Sequence, residues 1–263
     1  MPAMSNDGLF EIAGKTALVT GGSRGIGFMI ARGLLQAGAR VIVSSRKQAE
    51  IESAAAELSA LGDCHAIPAD VSTPEGAREL AARAQERFPA LSILVNNAGA
   101  TWGAPLEEFP ASGWDKVAHT NVEGVFHLTT ALLAPLRAAA EREDPARVIN
   151  VGSIDGLRTP MVENYSYSAS KAAVHMLTRH LARRLAAEHI TVNAIAPGPF
   201  ESKMMAFVLD NPETREMVEQ GVPLGRIGRP DDVAGLTIFL ASRAGCYLTG
   251  AVIPLDGGIT GCN

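Results

Sequence analysis

Several things are scarce in this 263-residue sequence: there are three cysteines, two tryptophans and three tyrosines, and charged residues make up only 19% of it. A bilayer-crossing helix needs roughly 20 consecutive apolar residues, and no such run is present. The opening segment MPAMSNDGLFEIAG lacks both the basic start and the apolar stretch of a secretory signal, so residues 1–8 read as a loose tail. Cys64, Cys246 and Cys262 are odd in number and without C-x-x-C spacing. They fit reduced thiols in a cytoplasmic protein, with burial as small hydrophobes the default. A basic excess is missing too. The net charge of −5 gives no footprint for nucleic acid or an anionic membrane, and neither is an expected partner. The six histidines show no H-x-x-x-H or H-E-x-x-H spacing, and His175 and His180 lie off a shared helical face, so no metal is expected.

Apolar residues are abundant at 47%, enough for a substantial core. Short β-branched runs recur at Thr16–Val19, Arg40–Val43, His65–Ala69, Ser92–Asn96, Arg147–Val151, Thr191–Ala196 and Ala251–Leu255. Longer Ala- and Leu-rich stretches separate them, such as Ile26–Ala37 and Lys47–Leu61, which have the length and composition of helices. Alternation of strand and helix predicts an α/β fold: a single doubly wound Rossmann-type domain with a parallel sheet of about seven strands and helices on both faces. No repeat or Pro/Ser-rich linker divides residues 1–263. Residues 200–222 break the rhythm with Met204, Met205, Phe207, Val208 and Leu209, and read as a lid inserted beyond a strand's C-terminal end.

The first strand runs into Thr20-Gly21-Gly22-Ser23-Arg24-Gly25-Ile26-Gly27, a G-x-x-x-G-x-G spacing. Glycines let a backbone turn sharply and approach a pyrophosphate, whose charge is met by amide N–H groups at the following helix N-terminus. A glycine turn after a strand also serves as a plain tight turn, so this signal is weak alone. An acid about 20 positions on would bind a ribose 2′-hydroxyl. Here the second strand ends Val43-Ser44-Ser45-Arg46-Lys47, with no acid. Arg24 and Arg46 could clamp a 2′-phosphate, with Ser45 adding a hydroxyl, which favours NADP(H) over NAD(H). Solvated arginines on exposed turns are the alternative.

Tyr167 and Lys171 are four apart at the start of an amphipathic helix and share one face. A phenol of unperturbed pKa about 10 becomes a working acid/base when an ammonium stabilises its anion. With Thr20–Gly27, Asp70-Val71, Asn96-Asn97-Ala98-Gly99, Asn121, Gly152-Ser153, Pro197-Gly198 and Asp256-Gly257-Gly258, the chain from Gly14 to Gly258 resembles the classical short-chain dehydrogenase/reductase family. Within it the sequence looks most similar to β-ketoacyl reductases, including the NADPH-dependent type of rhamnolipid pathways.

The resemblance implies hydride transfer between NADP(H) and a carbonyl or secondary alcohol, and a role for each matching residue. Tyr167 would be the acid/base, Ser153 a hydrogen-bond donor to the substrate oxygen, and Lys171 the group that holds the nicotinamide ribose and lowers the Tyr167 pKa. Asn121 would hold a water for proton supply. Gly21, Ser23, Arg24, Gly25, Ile26 and Gly27 would cradle the pyrophosphate. Asp70 would meet the adenine amine and Val71 would pack beside the ring. Asn96 and Gly99, with Asn97 and Ala98 between them, would shape the turn under the adenosine ribose, and Pro197, Gly198 and Ser202 would line the nicotinamide. A homotetramer is implied as well.

Candidate pocket walls are Trp102, Asp155, Tyr165 and Met204, with Leu157, Met161, Val162, Met205 and Phe207. Most are apolar, which suits an acyl chain or an alicyclic ketone. Asp155 would either bond a substrate hydroxyl, as in a sugar or polyol dehydrogenase, or cap its local turn. In reductases of fatty-acid synthesis, basic residues dock an acyl carrier protein; the corresponding places here hold Asp144 and Glu188, although Arg142, Arg147, Arg183 and Arg184 lie nearby. Carrier-protein docking is therefore doubtful. A 3-oxoacyl reductase is the leading reading, ahead of a dehydrogenase of a sugar, steroid or small alcohol and of a catalytically silent nucleotide-binding scaffold.

Overall fold

The structure, a computed structural model, describes residues 8–201, 205 and 211–262. Seven strands, β1 (Thr16–Thr20), β2 (Arg40–Ser45), β3 (Cys64–Pro68), β4 (Ile93–Asn96), β5 (Ala146–Val151), β6 (Ile190–Pro197) and β7 (Val252–Leu255), form one sheet in the order β3-β2-β1-β4-β5-β6-β7. Every pairing is parallel. The strands match the seven expected, with ends displaced by a residue or two. β3, for example, ends at Pro68, which a sheet edge tolerates because no N–H is required there.

Helices α1 (Gly25–Gln36), α2 (Gln48–Leu58), α3 (Pro74–Arg87), α4 (Ala111–Ala118), α5 (Gly124–Ala131), α6 (Leu133–Ala139), α7 (Tyr165–Leu185), α8 (Pro212–Gln220) and α9 (Pro230–Ala241) connect the strands. Period-2 alternation sorts the strand side chains into two apolar layers. Ala17, Val19, Val41, Val43, Val95 and Ile149 pack with Ile30, Leu34, Ile51, Val233 and Leu240, from α1, α2 and α9. Leu18, Ile42, Leu94, Val148 and Val192 pack on the opposite face with Leu80, Leu128, Leu136 and Leu185, from α3, α5, α6 and α7. At roughly 1.5–3 kcal/mol for each fully buried aliphatic side chain, these layers are the main force holding the helices to the sheet.

Two polar features interrupt the apolar layers. Asn96 Nδ2 donates to Thr129 Oγ1 (3.1 Å) and to Asn150 Oδ1 (2.9 Å), and Asn150 Nδ2 donates to Thr178 Oγ1 (2.9 Å), so a buried chain links β4 and β5 to α5 and α7. Arg147, only 1% exposed, pairs with Asp144 (2.7 Å) and donates to the Ser242 carbonyl (3.0 Å). Asp144 also bonds Lys15. Arg147 is thus unavailable for docking a partner. Arg184 bonds Glu188, while Arg142 and Arg183 are exposed.

Ser202, Met204, Phe207, Val208 and Leu209 of the expected lid, and residues 1–7 of the expected tail, lie outside the described residues. The described parts of the 200–222 insertion are anchored: Phe200 pairs with Gly228, and Arg215 bonds Glu201 at 2.7 Å.

Candidate active site

β1 and β4 are adjacent although they are not consecutive in the chain, so their connections leave in opposite directions and open a crevice at the strands' C-terminal ends. The glycine turn forms one wall. Gly21 has φ +65°, and a Cβ there would stand 2.7 Å from Asn97 Nδ2; at Gly27 a Cβ would lie 2.4 Å from both that nitrogen and the Gly21 carbonyl oxygen. Asn97 holds the turn from beneath, donating from Nδ2 to the Thr20 (2.9 Å) and Gly21 (3.2 Å) carbonyls. Thr20 Oγ1 accepts the Asn97 and Ala98 amides, each at 3.0 Å. Sequence reasoning gave Asn96 a place in this turn, but its side chain points into the interior chain described above. Neighbouring strand residues face opposite ways, and Asn97 is the one beneath the turn.

α1 begins at this turn without a side-chain cap or an acid in its first turn, leaving the amides of Gly25, Ile26 and Gly27 for an anion. Ser23 and Arg24 line a groove between this turn and α2. At the end of β2, Ser45 Oγ is buried without a hydrogen-bond partner, beside exposed Arg46. An orphaned hydroxyl, free helix-end amides and three neighbouring cations suit a phosphorylated nucleotide, so these residues fit an NADP-type cofactor. Asp70 at the end of β3 accepts Ser72 N–H and Oγ–H on one oxygen, at 3.0 and 2.7 Å. Val71 is buried in the core layer of α3.

The catalytic candidates converge at the C-terminal end of β5. Ser153 Oγ accepts the Asp155 N–H at 3.1 Å, which leaves the hydroxyl proton free to donate. The Ser153 hydroxyl faces Tyr167 and pulls the phenol's pKa down. Lys171 Nζ donates to the Val151 carbonyl at 2.8 Å and lies 5.5 Å from the Tyr167 ring centroid. Burial dominates both groups: it pushes the phenol up to about 12, with the Asp155 charge adding to the rise, and pulls Lys171 down to about 8. This corrects the sequence expectation. The Tyr167 pKa is raised, by burial first, and the Lys171 ammonium is turned to the Val151 carbonyl.

Asn121 lies in a π-helical turn, His119–Glu123, between α4 and α5, closed by Gly124 N–H donating to the His119 carbonyl. Its side chain accepts the Ala100 N–H (2.7 Å) and donates to the Ala100 carbonyl and to Ser170 Oγ, each at 2.9 Å. Both amide protons are therefore committed, and the residue pins the segment after β4 to α7. A Cβ on Gly99 would lie 3.5 Å from Asn121 Oδ1 and 3.9 Å from Lys171 Nζ, which places Gly99 between the nucleotide turn and the catalytic group. Pro197 and Gly198 close β6 against β7, where Gly198 N–H donates to the Leu255 carbonyl.

Asp155 Oδ2 accepts from Asn164 Nδ2 at 3.2 Å, so its carboxylate braces the residue before α7; the turn cap is supplied by Ser153. Tyr165 donates to Glu163 (2.9 Å) and packs edge-on against Phe109. Phe109 in turn packs on Trp114. Trp102 lies under Lys116 and against Gly113. Tyr165, Phe109 and Trp114 thus form an aromatic group in which Phe109 and Trp114 carry no sequence signal, and Trp102 packs on α4 beside it. Sequence reasoning also assigned no role to Ser170, whose hydroxyl meets Asn121.

The family model described as enoyl-(acyl carrier protein) reductase matches residues 21–260. The chain belongs to the short-chain dehydrogenase/reductase family. Among relatives of this family, the rhamnolipids biosynthesis 3-oxoacyl-[acyl-carrier-protein] reductase of Pseudomonas aeruginosa is 53% identical over 249 residues, covering 95% of this chain and 97% of its own. Galactitol 2-dehydrogenase (L-tagatose-forming) of Cereibacter sphaeroides is 39% identical, covering 96% and 97%. The solved Pseudomonas aeruginosa RhlG/NADP active-site complex superposes with a TM-score of 0.94 at 52% identity, covering 96% and 98%. Among the described residues no helix is long and apolar enough to cross a membrane.

Proposed function

We propose that this short-chain reductase converts a 3-oxoacyl thioester, or a ketone of similar shape, to the secondary alcohol at the expense of NADPH. The observation that carries the reading is the Ser153 hydroxyl: it accepts the Asp155 amide and is directed as a donor at the Tyr167 oxygen across the end of β5, where a substrate oxygen would be received. The similarity to the rhamnolipid-pathway 3-oxoacyl reductase and to its NADP complex supports both substrate class and cofactor.

NADPH, held by Gly25 to Gly27 and Ser45, would supply the hydride for the carbonyl carbon. Ser153 donates a hydrogen bond to the carbonyl oxygen and steadies the charge that grows there. Tyr167, kept protonated by burial, delivers its phenolic proton to that oxygen. Lys171 has one ammonium proton on the Val151 carbonyl and others for ribose hydroxyls and for restoring the tyrosine proton. Gly25 to Gly27 and Ser45 hold the nucleotide so that orientation supplies much of the rate.

A polyol dehydrogenase is the second reading. It would need Asp155 to bind a substrate hydroxyl, yet that carboxylate braces Asn164. Steady-state rates on a 3-oxoacyl thioester against a panel of polyols and cyclic ketones test the choice: kcat/KM should favour the thioester by at least about tenfold. Preference for a polyol would overturn it.

The protein works as a homotetramer in the cytoplasm. Exposed Phe126 on α5, Met176 on α7 and Tyr247 before β7 support the assembly, and three unpaired cysteines suit a reducing compartment. The 200–222 insertion acts as a substrate lid, supported by its position after β6.

A further inference from the structure

The cleft between the glycine turn and α2 has a volume of about 450 Å³ and is lined by Ser23, Arg24, Phe28, Ala49, Glu50 and Ser53, among others. Two acids line it, Glu50 and Glu57, and of these Glu50 is the one that meets cations. Glu50 Oε2 accepts from Arg24 Nη1 at 3.0 Å, and Oε1 accepts from Lys47 Nζ at 2.7 Å. One carboxylate therefore engages both Arg24, in the glycine turn, and Lys47, two residues beyond the orphaned Ser45 hydroxyl that ends β2.

We propose that Glu50 is a tethered counter-anion for the 2′-phosphate site, and that it determines how selectively the site takes NADPH. This inference rests on the NADPH reading above. Before the nucleotide binds, the carboxylate supplies the negative charge that Arg24 and Lys47 seek. A 2′-phosphate must take these cations over, and it then lies beside a carboxylate that repels it. The ion pairs are at least partly solvent-exposed, so breaking them costs little; the repulsion, brought close to a phosphate of charge near −2, is the larger effect. Free phosphates gain only the cations and lose to the tethered acid, whose local concentration is high. NADPH also gains the adenosine and pyrophosphate contacts and displaces it. The acid thus weakens every phosphate ligand of this site by a similar factor, so that free phosphates fall below useful affinity while NADPH, with its further contacts, stays above it.

Fluorescence titration of the intact protein with NADPH and NADH, with inorganic phosphate and adenosine 2′-monophosphate as competitors, tests this. Glu50→Gln should tighten NADPH binding about three- to tenfold and leave NADH within about twofold. Inorganic phosphate should compete at correspondingly lower concentration. If Glu50→Gln weakens NADPH, the acid is a brace for Arg24 and the proposal fails; it fails equally if neither NADPH nor phosphate binding changes. Arg24→Gln and Arg46→Asp, in the same titration, address the underlying reading separately. Loss of NADPH affinity in these two locates the 2′-phosphate, whereas unchanged affinity in both would overturn the location itself.

Discussion

Tyr167 and Lys171 are both driven toward neutrality by burial, and for the tyrosine this is the state the reductive direction requires. Replacing Tyr167 by Phe should lower kcat by at least about a hundredfold while NADPH affinity, measured by titration, stays within about twofold. Ser153→Ala removes the single free hydroxyl proton on the substrate oxygen and should lower kcat about 10²-fold. Tyr165→Phe, whose hydroxyl bonds the exposed Glu163, should leave turnover unchanged. His175 provides a different test. It is 2% exposed, and burial, only partly offset by a backbone hydrogen bond at Gly156, pulls its pKa down to about 4 from 6.5. The folded-state value lies below the unfolded one, so the unfolded chain takes the proton first. Unfolding free energy should therefore fall as pH drops from 6.5 toward 4, by on the order of 3 kcal/mol, with nothing lost above pH 6.5. Urea titrations across that window should show a flatter profile for His175→Gln; an unchanged slope would assign the loss to other groups.

At the scale of elements, the glycine turn and the α7 pair were legible in the sequence because each is local. A positive φ at Gly21 requires glycine, and a four-residue spacing places Tyr167 and Lys171 on one face wherever the helix packs. What was illegible depends on contacts between distant segments. Asn121 meets Ser170 from 49 residues away, Arg24 meets Glu50 across the α1–α2 cleft, and the depth of burial that reverses the expected Tyr167 shift is set by the packing of several elements. Asn96 and Asn97 differ by one step along a strand end, and sequence does not say which step faces the turn. The turn tolerates little change: Gly27→Ala places a methyl 2.4 Å from the Gly21 carbonyl and should abolish nucleotide binding in the titration above. The start of α3 is simpler. Thr73 Oγ1 accepts the Gly76 N–H at 3.1 Å, so Thr73→Ala should cost about 1 kcal/mol in urea unfolding without affecting turnover.

For the whole molecule, a parallel sheet of about seven strands was legible in the strand–helix alternation, whereas the order of those strands is seen only in the fold and the proposed assembly rests on exposed apolar side chains the sequence cannot locate. Light scattering at micromolar concentration should give four chain masses. Phe126→Glu together with Met176→Glu should reduce that mass while far-ultraviolet circular dichroism is retained, and a monomeric wild type would refute the assembly. The sheet itself contains a safeguard in the buried Asn96–Asn150–Thr178 chain. β4 pairs with β5 over only four residues, and apolar side chains alone would accept a displaced pairing at small cost. A one-residue slip turns Asn96 to the wrong face, and a two-residue slip sets it opposite Val148. Either strands an amide among hydrocarbon at about 1–3 kcal/mol for each lost partner. The asparagines thus work as a checksum on assembly: misaligned sheets are penalised during folding, and Ser153, which follows β5 directly, reaches Tyr167 only in chains that have passed it.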